Sequence, residues 1–314
     1  MTLAIGVDIG GTKVAAGVVD AEGKVLARAR RRTPSHDPEH IVDVVVEIVR
    51  QLRTEYDAVP VGIGAAGYID VERSHVLFAP NLPGWRDTPL RDTVSERLDS
   101  DVIVENDANA AAWGEYRFGA GDVQPDLVCL TVGTGIGGGI IMDGRLHRGR
   151  FGIAGEPGHM RVVPGGRKCG CGNLGCWEQY ASGSALVRAA REVANERKDD
   201  ARRLVSLAGS IDNIDGPTVT MAANEGDPAA IDCFDEIGRW LGQGLADLSA
   251  ILDPGRFVIG GGVADAGELL LAPARSTYAN SLSGRGHRPL ADVVAASLGA
   301  DAGLIGAADL ARAG

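Results

Sequence analysis

Aromatic residues are scarce, at 4% of the 314-residue chain. A core with few large rings is filled by aliphatic and small side chains, so close backbone approaches are expected. Positive charge is also short: 31 Lys and Arg against 42 Asp and Glu leave a formal net charge of -11. That balance argues against a nucleic-acid partner or an anionic membrane surface, both of which are held through basic patches. Any bound phosphate is then expected to rest on backbone N–H groups and a metal ion. No apolar run reaches the length of a membrane-spanning helix, about 20 residues. The opening Met1-Thr2-Leu3-Ala4-Ile5-Gly6 has neither the basic region nor the cleavage site of a secretory signal. The expectation is a cytoplasmic protein, where reducing conditions make clustered cysteines metal ligands more readily than disulfides.

Glycine, by contrast, is abundant. Two glycine-bearing stretches also carry the cysteines and acids of a candidate site, Gly155-Glu156-Pro157-Gly158-His159 and Cys169-Gly170-Cys171-Gly172-Asn173-Leu174-Gly175-Cys176-Trp177-Glu178. The Cys-x-Cys-x4-Cys spacing with an upstream histidine offers three thiolates and one imidazole: Cys169, Cys171, Cys176 and His159. Zinc takes four such donors in a tetrahedron, and a Cys3His set fills every position, which makes the site structural. A disulfide or a set of loose thiols is the competing reading. Glu156 and Glu178 flank the ligands, so a metal that pins this loop also pins two carboxylates.

Periodicity gives the rest of the frame. Apolar runs at Leu3–Asp8, Val14–Asp20 and Val25–Arg30 read as three strands joined by turns at Gly10-Gly11-Thr12-Lys13 and Glu22-Gly23. The glycines open a hairpin, not a helix, which excludes a P-loop and a Rossmann turn. The pattern returns at Val128–Val132, Gly133-Thr134-Gly135, Gly137–Met142 and Asp143-Gly144. Aligned without gaps, Gly10 falls on Gly133 and Asp20 on Asp143. This is one supersecondary unit made twice, and it predicts a two-lobed fold with a cleft. Residues 38–56 have the spacing of an amphipathic helix. Helices are also expected over 89–98, 108–118, 182–194, 228–252, from about 266, and over 301–312. Strands are expected at 59–65, 102–105, 257–259 and 291–295. Residues 195–215 are polar and charge-mixed and read as a flexible insert, with a helix at most around 201–207. Asp107 follows the strand 102–105 at a helix start. It is either an N-cap or a ligand-facing carboxylate at the sheet edge where α/β folds bind ligands.

Six stretches occur in order: Asp8-Ile9-Gly10-Gly11-Thr12-Lys13, Glu105-Asn106-Asp107-Ala108-Asn109, Gly133-Thr134-Gly135, Glu156-Pro157-Gly158-His159, the Cys169–Glu178 block and Gly260-Gly261-Gly262. With them the chain resembles the ROK family of sugar kinases, and within it the bacterial ATP-dependent glucokinases. The resemblance implies an α/β, two-lobed actin- and hexokinase-like fold, a duplicated ribonuclease-H-like unit. It suggests a small lobe of residues 1–108 plus 299–314 and a large lobe of 109–298 carrying the zinc loop. It implies that Asp107 is the general base. Asn81, Asn106, Asp107, Glu156, His159 and Glu178 would bind the sugar. Gly10, Gly11, Thr12, Lys13, Gly133, Thr134 and Gly135 would hold the phosphates of ATP, and Gly261 and Gly262 would lie near the adenosine. Asp8 would place Mg2+ through water. Its repeat counterpart is Thr131, so only one half carries this carboxylate. The resemblance also implies a homo-oligomer, a dimer or tetramer.

Glucose is the expected substrate. Mannose, fructose or an N-acetylhexosamine is the alternative within the family, and polyphosphate the alternative donor. A sugar-responsive regulator of the same family is the non-catalytic alternative. Such a regulator needs a DNA-binding helix-turn-helix ahead of the body, and the first expected strand starts within five residues of Met1.

Overall fold

The structure is a computed structural model that describes residues 3–34, 37–56, 59–79, 84–121 and 124–313. In chain order the strands are β1 (Ala4–Ile9), β2 (Lys13–Val19), β3 (Val25–Arg32), β4 (Val61–Ala65), β5 (Tyr68–Ile69), β6 (Val76–Phe78), β7 (Arg86–Thr88), β8 (Val102–Asn106), β9 (Leu127–Val132), β10 (Ile136–Met142), β11 (Arg145–Leu146), β12 (Arg256–Gly260) and β13 (Asp292–Ala295). The helices are α1 (Pro38–Arg53), α2 (Leu90–Leu98), α3 (Asp107–Phe118), α4 (Glu178–Ala181), α5 (Gly183–Glu196), α6 (Arg202–Ala208), α7 (Gly216–Asn224), α8 (Pro228–Leu252), α9 (Glu268–Ser281) and α10 (Ala302–Ala313).

The repeat expected from sequence appears as two five-stranded sheets with one topology. Their orders are β3-β2-β1-β4-β8 and β11-β10-β9-β12-β13. In the first, β1 pairs antiparallel with β2 and parallel with β4, and β4 pairs parallel with β8. The register sets Ile9 beside Ala65 and Ala65 beside Asn106. The carboxyl ends of three parallel strands therefore share one edge, where open α/β sheets present their ligand groups. A small antiparallel sheet, β5-β6-β7, has no counterpart in the sequence-based expectation.

The chain divides into two compact units. One runs to Cys129 and adds Gly138–Gly155 and the segment from Ala296; the other comprises Leu130–Gly137 and Glu156–Ala295. The first unit is larger than the lobe of residues 1–108 plus 299–314 expected from sequence: it also takes the chain on to Cys129, residues 138–155 and, with them, the whole of α3. The reason lies in small residues. Gly306 of α10 leaves no space for a Cβ, which would stand 1.8 Å from the Ala110 carbonyl oxygen of α3. A Cβ on Gly6 or Gly62 would stand 1.7 Å or 1.8 Å from α10 carbonyl oxygens. Helix α10 thus lies directly on β1, β4 and α3, as the scarcity of aromatics suggested. Buried Glu115 of α3 accepts the backbone N–H groups of Ser297 and Leu298 at 3.0 Å and 2.7 Å, which anchors the chain just before α10.

Helix α1 buries Ile41, Val45, Ile48, Val49 and Leu52 of the apolar face read from its spacing, leaves Val44 of that face half-buried and buries Val42 and Val46 as well; Asp37 caps it. Residues 195–215 are not a loose insert. They fold as α6 and a short 3-10 turn, with Ala201, Leu204 and Ile214 fully buried. Cys233 is ordinary core.

Candidate active site

In the first unit, the turn between β1 and β2 is closed by Gly10 N–H donating to the Lys13 carbonyl at 3.0 Å. Thr33 fixes it from behind: its N–H donates to the Thr12 carbonyl and its Oγ1 to the Gly10 carbonyl, at 3.1 Å and 2.7 Å. This holds Gly10, Gly11, Thr12 and Lys13 in one conformation. Asp8 lies at the end of β1. Burial, then the Asp107 charge, push its carboxyl up to about 6, against the opposing pull of Lys13.

At the same edge, β8 ends in Asn106 and α3 begins at Asp107. The N-cap is Asn106, whose Oδ1 accepts the Asn109 N–H at 3.0 Å, while its Nδ2 donates to the Gly67 carbonyl at 3.0 Å. Of the two readings left open for Asp107, capping therefore falls to its neighbour. One Asp107 oxygen accepts the Ala108 N–H at 2.9 Å. Burial raises its carboxyl above the ordinary range, which makes the carboxylate a stronger proton acceptor. Asn81 lies outside the described residues.

In the second unit, the turn at Gly133–Gly135 occupies the equivalent place but closes one residue tighter, with the Gly133 N–H donating to the Gly135 carbonyl at 3.0 Å. Gly183, the first residue of α5, donates to the Gly133 carbonyl at 2.7 Å and docks a helix N-terminus on the turn. At the end of β12, Gly261 has φ +88 and a Cβ there would stand 2.5 Å from the Val132 carbonyl oxygen, so only glycine fits. These pieces open on a cavity of about 1290 Å³ whose lining includes Gly133, Thr134, Ser184 and Gly262. Its far wall includes Thr220, Met221 and Asn224 of α7. The sequence-based reading left α7 unassigned, although Asp215 as N-cap and Pro217 in the first turn are helix-start signals that could have found it.

Below that turn lies the zinc loop. The ligand atoms of His159, Cys169, Cys171 and Cys176 all lie within 4.8 Å of one another. His159 Nδ1 is 3.6 Å from Cys169 Sγ, and the Sγ atoms of Cys171 and Cys176 are 3.6 Å apart. Tetrahedral zinc with Zn–S and Zn–N bonds of about 2.3 Å and 2.0 Å separates its ligands by about 3.6–3.8 Å. The donor set and its spacing fit a closed, structural zinc site. The backbone is shaped for it: Gly172 and Gly175 have φ +93 and +79, and Gly175 leaves no room for a Cβ against the Val163 carbonyl. Trp177, fully buried, anchors the end of the loop through Nε1 to the Trp240 carbonyl at 2.7 Å.

The loop brings the Glu178 carboxylate beside its ligands. Glu178 Oε1 lies 2.9 Å from Cys169 Sγ, a hydrogen bond open only to the protonated thiol and given up by a zinc-bound thiolate, and 4.0 Å from His159 Nδ1. Glu156 precedes the 3-10 turn Pro157–His159, and its carbonyl accepts the His159 N–H at 3.2 Å. A Cβ on Gly135 would stand 2.4 Å from Glu178 Oε2, so the glycine turn and the zinc loop meet at this carboxylate.

Comparison with known proteins agrees with this arrangement. The ROK family model matches residues 4–313. The glucokinase of Streptomyces coelicolor is 53% identical over 99% of this chain and 98% of its own length. The glucokinase of Thermotoga maritima is 38% identical over 98% and 96%. Among solved structures, a ROK family glucokinase from Streptomyces griseus in complex with glucose and AMPPNP is 56% identical. It superposes with a TM-score of 0.92, covering 99% of this chain and all of that one. On the match over nearly its whole length, the two like-ordered sheets and the Cys3His loop, the chain belongs to the ROK family.

Proposed function

We propose that this protein transfers the γ-phosphoryl group of ATP to glucose, giving glucose 6-phosphate and ADP. The observation that carries the reading is the likeness to glucokinases along essentially the whole chain. Phosphoryl transfer asks little covalent chemistry of a protein; it asks for alignment, a positioned base and neutralised charge. Asp107 takes the proton of the attacking sugar hydroxyl as its oxygen bonds to the γ-phosphorus and the bond to ADP breaks. The raised pKa suits that work, because a base is most useful when its pKa approaches the working pH.

The N–H groups of Gly10–Lys13 and Gly133–Gly135 hold the phosphates in the manner of anion-binding turns. Gly261 and Gly262 face the adenosine. Asp8 is the residue that would hold Mg2+ with the nucleotide, an ion that would supply neutralising charge for the phosphates. Asn81, Asn106, Asp107, Glu156, His159 and Glu178 bind the sugar, whose hydroxyls each donate and accept. Zinc is structural in this scheme: it holds His159 and Glu178 for substrate. We further place the enzyme in the cytoplasm, as a dimer or tetramer.

A coupled assay of ADP release with glucose, mannose, fructose and N-acetylhexosamines, each with ATP and with polyphosphate, tests the reading. Glucose with ATP should give the highest kcat/KM, and no turnover with any hexose would sink the kinase. Asp107→Asn should keep glucose binding measurable by calorimetry while turnover falls by orders of magnitude. Near-normal turnover would remove Asp107 from the base role.

A further inference from the structure

Glu105 immediately precedes the Asn106–Asp107 turn, is 1% exposed, and no step above uses it. Its carboxylate is a junction of three segments. Oε1 accepts the Asn106 backbone N–H at 2.9 Å and Asn109 Nδ2 at 3.1 Å, both at the start of α3. Oε1 also accepts Arg148 Nε at 3.2 Å, while Oε2 lies 3.0 Å from Arg73 Nε and 2.9 Å from Arg148 Nε as an ion pair without an aligned hydrogen bond. Arg148, itself only 10% exposed, spends its other nitrogens on the carbonyls of Val71 and Asp70, at 2.9 Å and 2.8 Å. Its own carbonyl accepts the Ala154 N–H at 3.0 Å. Gly152, with φ +86, lies where a Cβ would stand 2.7 Å from the Val71 nitrogen. One carboxylate thus ties the beginning of α3 to the turn at 70–73 and to the loop 148–154.

Stability does not account for this arrangement. Removing three charges from water costs several kcal/mol per ion, and mutual attraction does little more than offset it. An apolar trio of similar volume would hold the fold as well. What an apolar trio could not do is grip the Asn106 N–H and the Asn109 amide. Those two groups, with the Asn106 cap, fix the backbone from which the Asp107 side chain leaves.

We propose that Glu105, held by Arg148 and Arg73, is the positioning residue for Asp107; the inference rests on Asp107 as the base. Glu105→Gln keeps the size and one acceptor but loses the charge that grips both arginines. Arg148→Met removes one of the two guanidinium groups and leaves Glu105 paired with Arg73. Misplacement of a reacting group by about 1 Å costs about 10²-fold. Each variant should therefore lower kcat by roughly 10- to 100-fold with KM for ATP unchanged. Arg148→Lys, which restores a charge without the fork, should recover part of the loss.

The decisive measurement is a double-mutant cycle with Asp107→Asn, since residues that act through one another are non-additive. In that background Glu105→Gln and Arg148→Met should change the residual turnover little. Losses that multiply instead would overturn the proposal, as would full kcat in a folded Glu105→Gln. If thermal melts show Glu105→Gln unfolded at the assay temperature, Arg148→Met carries the test with the same outcomes. The premise is checked first and separately: near-normal turnover of Asp107→Asn alone overturns the base and the positioning together. A large loss there with a fully active Glu105→Gln overturns only the positioning.

Discussion

Gly135→Ala is a small change with a sharp expected consequence. The glycine does not have positive φ, so alanine is conformationally allowed and backbone strain is not the issue. The new methyl group would stand 2.4 Å from Glu178 Oε2. Non-bonded heavy atoms pack best at about 3.5 Å or more, so the carboxylate must retreat by about 1 Å. It has little room to do so, because Glu178 opens α4 directly after Cys176 and the buried Trp177, whose Nε1 donates to the Trp240 carbonyl at 2.7 Å. Losing one charge-assisted hydrogen bond to the sugar costs about 1.5–3 kcal/mol, or roughly 10- to 150-fold at about 1.4 kcal/mol per tenfold.

Steady-state kinetics should therefore show the glucose KM rising by that factor. Thermal stability should move by less than about 1 kcal/mol, since the loss of unfolded-chain freedom offsets part of any local crowding. In a Glu178→Ala background the obstacle is gone, and the same substitution should be nearly silent. An unchanged glucose KM in Gly135→Ala, or an equal effect in both backgrounds, would refute the reasoning.

Cys171→Ser removes one of four donors, so zinc content by atomic absorption should fall and glucose affinity with it, because Glu178 and His159 lose their anchor. Intact activity after zinc loss would make the metal a remote staple. A pH series addresses Asp8, whose folded pKa of about 6 exceeds its ordinary 3.8. A raised folded pKa contributes stability that is fully present below the ordinary value and lost as pH rises through about 6. In magnesium-free buffer, Asp8→Asn should therefore gain in melting temperature relative to wild type between pH 5 and 7.5; a constant difference would contradict the shift.

The legible parts of the molecule were those where one residue type has one physical job. Turns at Gly10 and Gly133 were marked by glycines flanked by apolar runs, and they appear in equivalent places of two like-ordered sheets. The Cys3His spacing was readable because few other arrangements put three thiols and an imidazole so close in sequence. The base turn was readable only as a choice, since Asn106 and Asp107 are both good caps and sequence does not say which carbonyl or N–H each will meet. Glu105 stood in the Glu105–Asn109 stretch, but its pairing with Arg148 was not legible, for a different reason. Their pairing joins residues 43 positions apart, and a lone glutamate in a strand or an arginine in a loop reads as surface.

Residues 195–215 show how composition misleads. Their charges are real and exposed: Arg202 pairs with Asp199 at 2.7 Å, and Arg203 with Glu225. Yet beneath them Leu204 is fully buried, its N–H donating to Asp227 at 3.0 Å, while Arg191 grips the carbonyls of Asp212 and Ile214 at 2.7 Å and 2.9 Å. A few apolar residues at the right spacing suffice to fold a segment whose average looks disordered. Leu204→Ala should then cost about 2–5 kcal/mol, the range of a leucine truncated in a packed core, measured by denaturant unfolding. Because α7 follows directly and walls the cavity of about 1290 Å³, the same variant should raise the KM for ATP more than that for glucose. A flexible insert would show neither: a change within about 0.5 kcal/mol together with early proteolytic cleavage between 195 and 215 in the wild type would mean the packing of Leu204 holds nothing in place.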